Sequence, residues 1–399
     1  MRSVVQHQEA VAELMRPVFE RLESEAEEVE LADARGRVLA ADLFATIDLP
    51  AFDNSQMDGY AVRSAEAVNP LPTVQPIPAG SAQTVLATGT AAAIMTGAMI
   101  PAGADAVVPI EACLPDHFVA AGEQVSFAAV PLGQFIRKAG SDIAAGTVAL
   151  SAGTRLNPAQ LALAAALGTA SVRVRRRLKV AILSTGDELI APGEALRPGA
   201  IYEANSTLLA AALRETGAMA VILPTASDDP AVLARTLASV QDVDLLISTG
   251  GVSEGAYEVV KQTLASSAQF EVIAMQPGGP QATGMIELAS SGKLAFLGFP
   301  GNPVSTLISF EMFLRPLLMG ARLKVSAALS SAASSPAAKH QIRRALFSQG
   351  TGLNVGSVQL LGGPGSHLLH AMAQANALVH FPVGVADVSA GEEVEVWLL

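Results

Sequence analysis

The chain has 399 residues, half of them hydrophobic and 16% charged, with 37 acidic against 25 basic side chains and a formal charge of −12. This length and apolar content suit several packed domains and argue against disorder, while the acidic balance argues against a nucleic-acid partner, whose phosphates need a basic surface. The one cysteine, Cys113, excludes an internal disulfide and any multi-cysteine metal site, and it is expected to be a buried apolar residue.

In chain order, a polar N-terminus without an apolar core predicts no signal peptide and a cytoplasmic protein. Val5 to Leu31 reads as a helix and a return segment, with Val11, Leu14, Val18 and Leu22 at near-helical spacing. Ile47–Gly59 (IDLPAFDNSQMDG) is rich in turn formers and predicts a structured loop. Residues 72–140 carry short alternating runs punctuated by Gly and Pro, the pattern of a small β module. Asn157–Gly168 predicts a short helix with an Asn cap, Pro in its first turn and a terminal Gly. The basic run from Arg173 to Lys179 is expected on a solvated face or between domains.

From Lys179 to about Arg322, strand-like runs (LKVAILS, AMAVILP, DLLIS, FEVIAM, KLAFLGF) alternate with helices near Asn205–Thr216, Pro230–Val240 and Pro303–Leu318. That alternation predicts an α/β layer with a mainly parallel sheet. The run Thr306–Gly320 is broken by Glu311 and Arg315 and is too short to span a membrane. Val325–Ala338 is Ser/Ala-rich and reads as a linker, and Gln341–Leu399 as a small terminal β-barrel or sandwich.

Three α/β strands run into glycine-bearing loops: TGDEL after Ser184, TGGVSEG after Ser248 and PGNPVS after Phe299. In an open parallel sheet, ligands bind beyond the strand ends, where glycine lets the backbone approach and unpaired N–H groups cradle anions. Gly250, Gly251 and Ser253 are candidates for that role, with Asn302 expected as a helix cap and Pro303 in the first turn. Carboxylates accompany them: Asp58, Asp142, Asp187, Glu188, Glu203, Asp228, Asp229 and Glu258. Acids beside anion-binding loops make sense where magnesium bridges them to substrate phosphates; capping is the competing account for Asp228 and Asp229. His367 and His370 lack a nearby third ligand and are read as structural.

The motifs DLPAFDNSQMDGYAVR (48–63), IMTGAMIPAGADAVVPIE (94–111), AGSDIAAG (139–146), VAILSTGDELIAPG (180–193), LISTGGVSEG (246–255), PGNPVS (300–305) and GSHLL…AN (365–376) give the chain an end-to-end resemblance to the molybdopterin molybdenumtransferases, the MoeA family that includes the E domain of gephyrin. The resemblance implies an elongated multidomain α/β plus β fold. Its parts would be a helical/extended segment (1–46 and 143–176), a small β module (47–142), a MogA-like α/β domain (177–324) and a C-terminal β-barrel (325–399). It further implies a homodimer that converts adenylylated molybdopterin and molybdate, with Mg2+, to molybdenum cofactor and AMP. Contact with a molybdopterin adenylyltransferase and with molybdoenzyme chaperones is the corresponding partner expectation, with no nucleic acid and no membrane.

Carried over by position, Asp187, Glu188 and Asp228 match crevice carboxylates, and Asp58, Thr96 and Asp142 match residues of the β-module side. Pro300 and Pro303 frame the substrate loop, Ser366 matches a barrel serine, and Arg344 approximately matches an arginine there. Ser184, Gly186, Asn205, Gln276 and Asn302 complete the expected substrate-binding set; Glu188, Glu203 and Glu258 are the expected metal ligands. There are departures from the family pattern. Glu203 and Glu258 stand where Asp is expected, and Gln276 and Gly279 replace lysines that many members carry, which removes two cations from the anion's seat. A non-catalytic pterin-binding scaffold and a tungstate-loading paralogue are the rival readings.

Overall fold

The computed structural model describes residues 1–399 except 129, 253–258, 289–291 and 351–355. Its contacts divide the chain into two units, Met1–Glu25 with Arg176–Leu399, and Ala26–Arg175. The inserted unit begins and ends on one antiparallel ribbon, Ala26–Glu30 against Ser171–Arg175, so the chain leaves and returns side by side.

The larger unit contains a six-stranded sheet of β1 (Lys179–Ser184), β2 (Met219–Ile222), β3 (Leu245–Thr249), β4 (Ala268–Val272), β5 (Pro280–Leu288) and β6 (Gly292–Phe299), in the order β2-β1-β3-β6-β5-β4. The first four in that order are parallel; β5 and β4 add antiparallel at one edge. The period-2 alternation of β1 separates two cores. Val180 and Ile182 pack with the N-terminal helix (Val4–Ser24) and the helices at 205–215 and 303–319, whereas Ala181 and Leu183 pack with Leu233, Leu237, Val260 and Leu264.

The helix expected over Pro303–Leu318 is continuous in path but changes register, with a π segment at Phe310–Leu314 between α-helical turns. Pro316 explains this: it has no N–H for the carbonyl four residues back, that of Met312. That carbonyl instead accepts from Gln8 Nε2 of the N-terminal helix at 3.0 Å.

On the same N-terminal helix His7 is 2% exposed, edge-on to Phe313, and burial followed by the Arg2 charge lowers its pKa to about 4. The unfolded chain binds this proton more tightly, so stability falls as pH drops from about 6.5 towards 4, by about 3 kcal/mol in all. Thermal midpoints between pH 7 and pH 4.5 should therefore fall less steeply in His7→Leu than in the native chain. Parallel curves would show that His7 is not held neutral.

Val325–Ala338, expected as a linker, is corrected by the structure: Lys324–Leu329 is a barrel strand paired with Glu393–Leu398. Ala327 and Leu329, alternate residues, both point into the barrel core, and small side chains had hidden that periodicity. Strands 340–348, 357–360, 324–329, 393–398 and 377–381 close on themselves through the 340–348/377–381 pairing. A short parallel bridge, Met275–Gln276 beside His340–Gln341, joins the barrel to the α/β layer.

The inserted unit holds its own six-stranded, mostly antiparallel sheet, with Tyr60 and Val62 in its core. Cys113 is buried there, and burial, then Glu111, pushes its thiol up to about 12. The helix Pro158–Ala166 has the expected Asn157 cap, reciprocated by Gln160. Among the described residues no helix is long and apolar enough to cross a membrane.

Candidate active site

The parallel register sets Ser184, Thr249 and Phe299 level at the carboxyl edge of the sheet, so the three glycine loops start side by side. Gly250 N–H donates to Phe299 O at 3.0 Å, and Thr185 N–H to Thr249 O at 3.2 Å. Gly250 has φ +86°, and a Cβ there would stand 3.0 Å from Thr185 O; a Cβ on Gly301 would stand 3.4 Å from the Gly250 α-carbon. The positive φ and the 3.0 Å approach call for glycine at 250, whereas at 301 a Cβ would make only an ordinary contact. Asn205, the first residue of its helix, fixes the third loop by donating to Gly301 O at 2.7 Å. Two buried polar atoms at this junction, Thr185 Oγ1 and Asn205 Oδ1, have no hydrogen-bond partner among the described residues.

The carboxylates fall into two groups. Glu203, expected as a metal ligand, is instead 7% exposed, and its Oε1 accepts from Ser184 Oγ at 2.8 Å and from Ser206 N–H at 2.9 Å. Ser184 Oγ also lies 3.0 Å from Thr249 Oγ1, so both residues tie the loops together from beneath. Asp187 and Glu188 are exposed. Asp187 Oδ1 accepts from Asp228 N–H at 3.1 Å, while Asp229 caps the next helix through Ala231 N–H at 2.8 Å. Glu188 folds back over Gly186, its carboxylate oxygens 2.6 and 2.8 Å from where a Cβ would stand. Among the described residues no three acidic, His or Cys side chains meet as a metal cluster.

From Gly301 the surface opens into a cleft of about 570 Å³. Its walls are the loop of Gln276–Pro280, the loop of Pro300–Asn302, and Pro364–Ser366 of the barrel segment, with Lys339 at one side. The structure thus brings Gln276, Pro300, Asn302 and Ser366 together. Asn302 occupies the cap position but makes no side-chain cap bond; Thr306 Oγ1 instead donates to Pro300 O at 2.8 Å. Pro303 starts the helix behind the loop and does not line the cleft. Arg344, expected to meet substrate, is 2% exposed and donates to Gly363 O, as neighbouring Arg343 does to Gly362 O at 2.8 Å. The pair anchors the loop that presents Ser366.

Asp58, Thr96 and Asp142 lie in the inserted unit. Thr96 donates through its N–H and hydroxyl to Asp58 Oδ1 at 2.7 and 2.8 Å, and those bonds hold the Asp58 carboxyl below its usual range. Asp142 is exposed, and its N–H donates to Leu49 O at 3.0 Å. Gly251, at φ +67°, packs against Val260. Ser253 and Glu258 fall outside the described residues. Sequence reading missed Thr185, whose neighbours drew the attention, and Lys339, a single lysine beside an apparent linker.

With this geometry in hand, three family models match the chain: the MoeA N-terminal region (domains I and II) at residues 2–168, a probable molybdopterin binding domain at 181–320, and the MoeA C-terminal region (domain IV) at 326–399. Molybdopterin molybdenumtransferase 2 of Mycobacterium tuberculosis is 44% identical over 425 residues, covering 100% of this chain and 99% of the relative. The molybdopterin molybdenumtransferase of a Nostoc species is 35% identical, covering 94% and 89%. A solved molybdopterin biosynthesis MoeA protein from Pyrococcus horikoshii superposes with a TM-score of 0.77 at 31% identity, covering 96% of this chain and 98% of that one.

Proposed function

The chain belongs to the MoeA family and serves in molybdenum-cofactor biosynthesis as a molybdopterin molybdenumtransferase, and from that premise we propose that it takes adenylylated molybdopterin and molybdate and releases molybdenum cofactor and AMP. The observation that carries this reading is continuity: Glu188 lies over Gly186, Thr185 touches Gly250, Gly250 touches Gly301, and Gly301 opens into the cleft. An acidic rim and a recess of about 570 Å³, in the range of a small-molecule site, thus share one surface at the carboxyl edge of the parallel strands, where open α/β sheets place their ligands.

Exposed carboxylates are hard oxygen donors of the kind magnesium takes, with substrate phosphates and water filling its remaining positions. Asp187 and Glu188 fit that role; Glu203, already bonded through Oε1, fits it less well. Held by Asp187 and Glu188, the cation would serve as a Lewis acid on the pyrophosphate. The Gly186 and Gly250 N–H groups are already donated to Ala226 O and Phe299 O, so these glycines let the phosphates approach the backbone without supplying those donors, while Gln276, Asn302 and Ser366 offer side-chain hydrogen bonds to molybdate in the cleft. The prolines at 277, 280, 300 and 364 stiffen the cleft walls. Asp228 stays in this proposal as a crevice carboxylate, and Asp58, Thr96 and Asp142 as substrate residues on the inserted unit's own surface, as do a homodimer, the adenylyltransferase and chaperone partners, and the four-part domain division.

Purified protein incubated with adenylylated molybdopterin, molybdate and magnesium should release AMP stoichiometrically with cofactor. Substituting tungstate for molybdate tests the oxometallate preference. A protein that holds the pterin with no AMP release under any of these conditions is a scaffold, and the reading fails.

A further inference from the structure

We propose that Lys339 is the cation that seats the oxoanion in this chain. Of the described residues that line the cleft, Lys339 alone carries a charge; the rest are apolar, Gly, Pro, or neutral polar side chains such as Gln276, Asn302, Ser305 and Ser366. The protein as a whole carries −12, so a dianion entering this recess meets repulsion at long range. Local positive charge must come from the wall itself, and positions 276 and 279 provide none.

The fold holds Lys339 at that wall. Its N–H donates to Pro336 O at 2.9 Å, and the next residue, His340, donates from N–H to Ala274 O at 2.8 Å. There the parallel bridge begins that sets His340 beside Met275 and Gln341 beside Gln276. Gln341 Nε2 also donates to Gln276 Oε1 at 2.6 Å, which leaves the Gln276 amide nitrogen as its donor to a ligand. The lysine backbone is therefore pinned on both sides of its side chain. Among the described residues the Lys339 ammonium has no ion-pair partner, and no carboxylate lines the cleft to neutralise it. A compact ammonium on a flexible stem, with three donors, suits a tetrahedral oxoanion approached from one side.

This inference rests on the proposed reading of the cleft as the oxometallate seat, so its test separates the two. Molybdate binding is measured by calorimetry on the full chain, and AMP release is followed at varied molybdate. For Lys339→Ala, the molybdate Kd and KM should rise about 10- to 100-fold, the scale of one lost charge interaction at a partly screened site. The rate at saturating molybdate and the KM for adenylylated pterin should stay within about threefold. Lys339→Arg should recover most of the affinity, and raising the salt should weaken molybdate binding less in Lys339→Ala than in the native chain. Lys339 is half-exposed, so thermal midpoints should be unchanged in both variants. If the native protein turns over and Lys339→Ala binds molybdate equally well, Lys339 is not the seat and the functional reading stands. If the native protein neither binds molybdate nor releases AMP, both fall together.

Discussion

Asp244→Ala should cost the protein about 3–5 kcal/mol of folding stability, the usual consequence of breaking a buried ion pair from one side. Asp244 is 4% exposed and accepts from Arg176 at 2.9 and 3.0 Å, from Arg21 at 2.5 Å and from the Lys179 N–H at 2.8 Å. Those bonds join the end of the N-terminal helix, the first residue after the inserted unit, and the start of β1. Burial by itself would raise this carboxyl's pKa, but the Arg176 hydrogen bonds, the Lys179 amide and the two guanidinium charges outweigh it and hold it below the usual range. A depressed carboxyl contributes its stability above the unfolded pKa near 4 and loses it only as pH falls through the lower folded value. The effect should thus be full at pH 7 and still present at pH 5, where the His7 contribution is already declining. Asp244→Asn keeps the shape and loses the charge, so about half the penalty is expected. Urea midpoints at pH 7 decide the matter; a loss under 1 kcal/mol for Asp244→Ala would mean that Arg176 and Arg21 find water as good a partner.

How much of this was legible in the sequence depended on whether a signal was local. The carboxyl-edge loops announced themselves because strand, glycine and helix follow within a dozen residues, and Asn157 showed its cap because the motif is contiguous. β5 escaped notice: PQATG opens it, and Gly284 sits mid-strand where a Cβ would stand 2.3 Å from Ser267 O. A glycine required by close strand approach reads in sequence as a turn. The 324–329 strand was hidden in the same way, its inward positions being alanine and leucine among serines.

The site was legible as a set of residue types but not as roles. Glu203 and Glu188 are both glutamates beside glycine loops, yet one is buried under two hydrogen bonds and the other is exposed over Gly186. Arg344 and Lys339 are both cations near the barrel end, yet the arginine is spent on a loop carbonyl while the lysine lines the cleft. Tertiary partners decide such assignments, and single-chain spacing does not contain them.

That distinction sets the largest expected effect on activity. On the proposed reading, in which Asp187 and Glu188 would hold a divalent ion, Glu188→Ala should lower the rate of AMP release about 100-fold or more, which corresponds to about 3 kcal/mol of lost transition-state stabilisation. Because the Glu188 side chain is exposed and lies over Gly186, while only its backbone carbonyl is tied down, by Ile201 N–H, its truncation should leave the thermal midpoint and the molybdate KM in place, unlike Glu203→Ala, which unties Ser184 and Ser206 and should lower the midpoint first. Glu188→Asp draws the carboxylate back about one methylene and should recover part of the rate, more so at high magnesium. Gly186→Ala places a methyl where the Glu188 oxygens now lie and puts a Cβ on a backbone at φ +149°, so the carboxylate swings aside and the loop is strained as well; the rate should fall and, unlike in Glu188→Ala, the thermal midpoint should fall with it. A Glu188→Ala protein that releases AMP at the native rate would remove the acid from the chemistry and move the site's electrostatic work to the cleft.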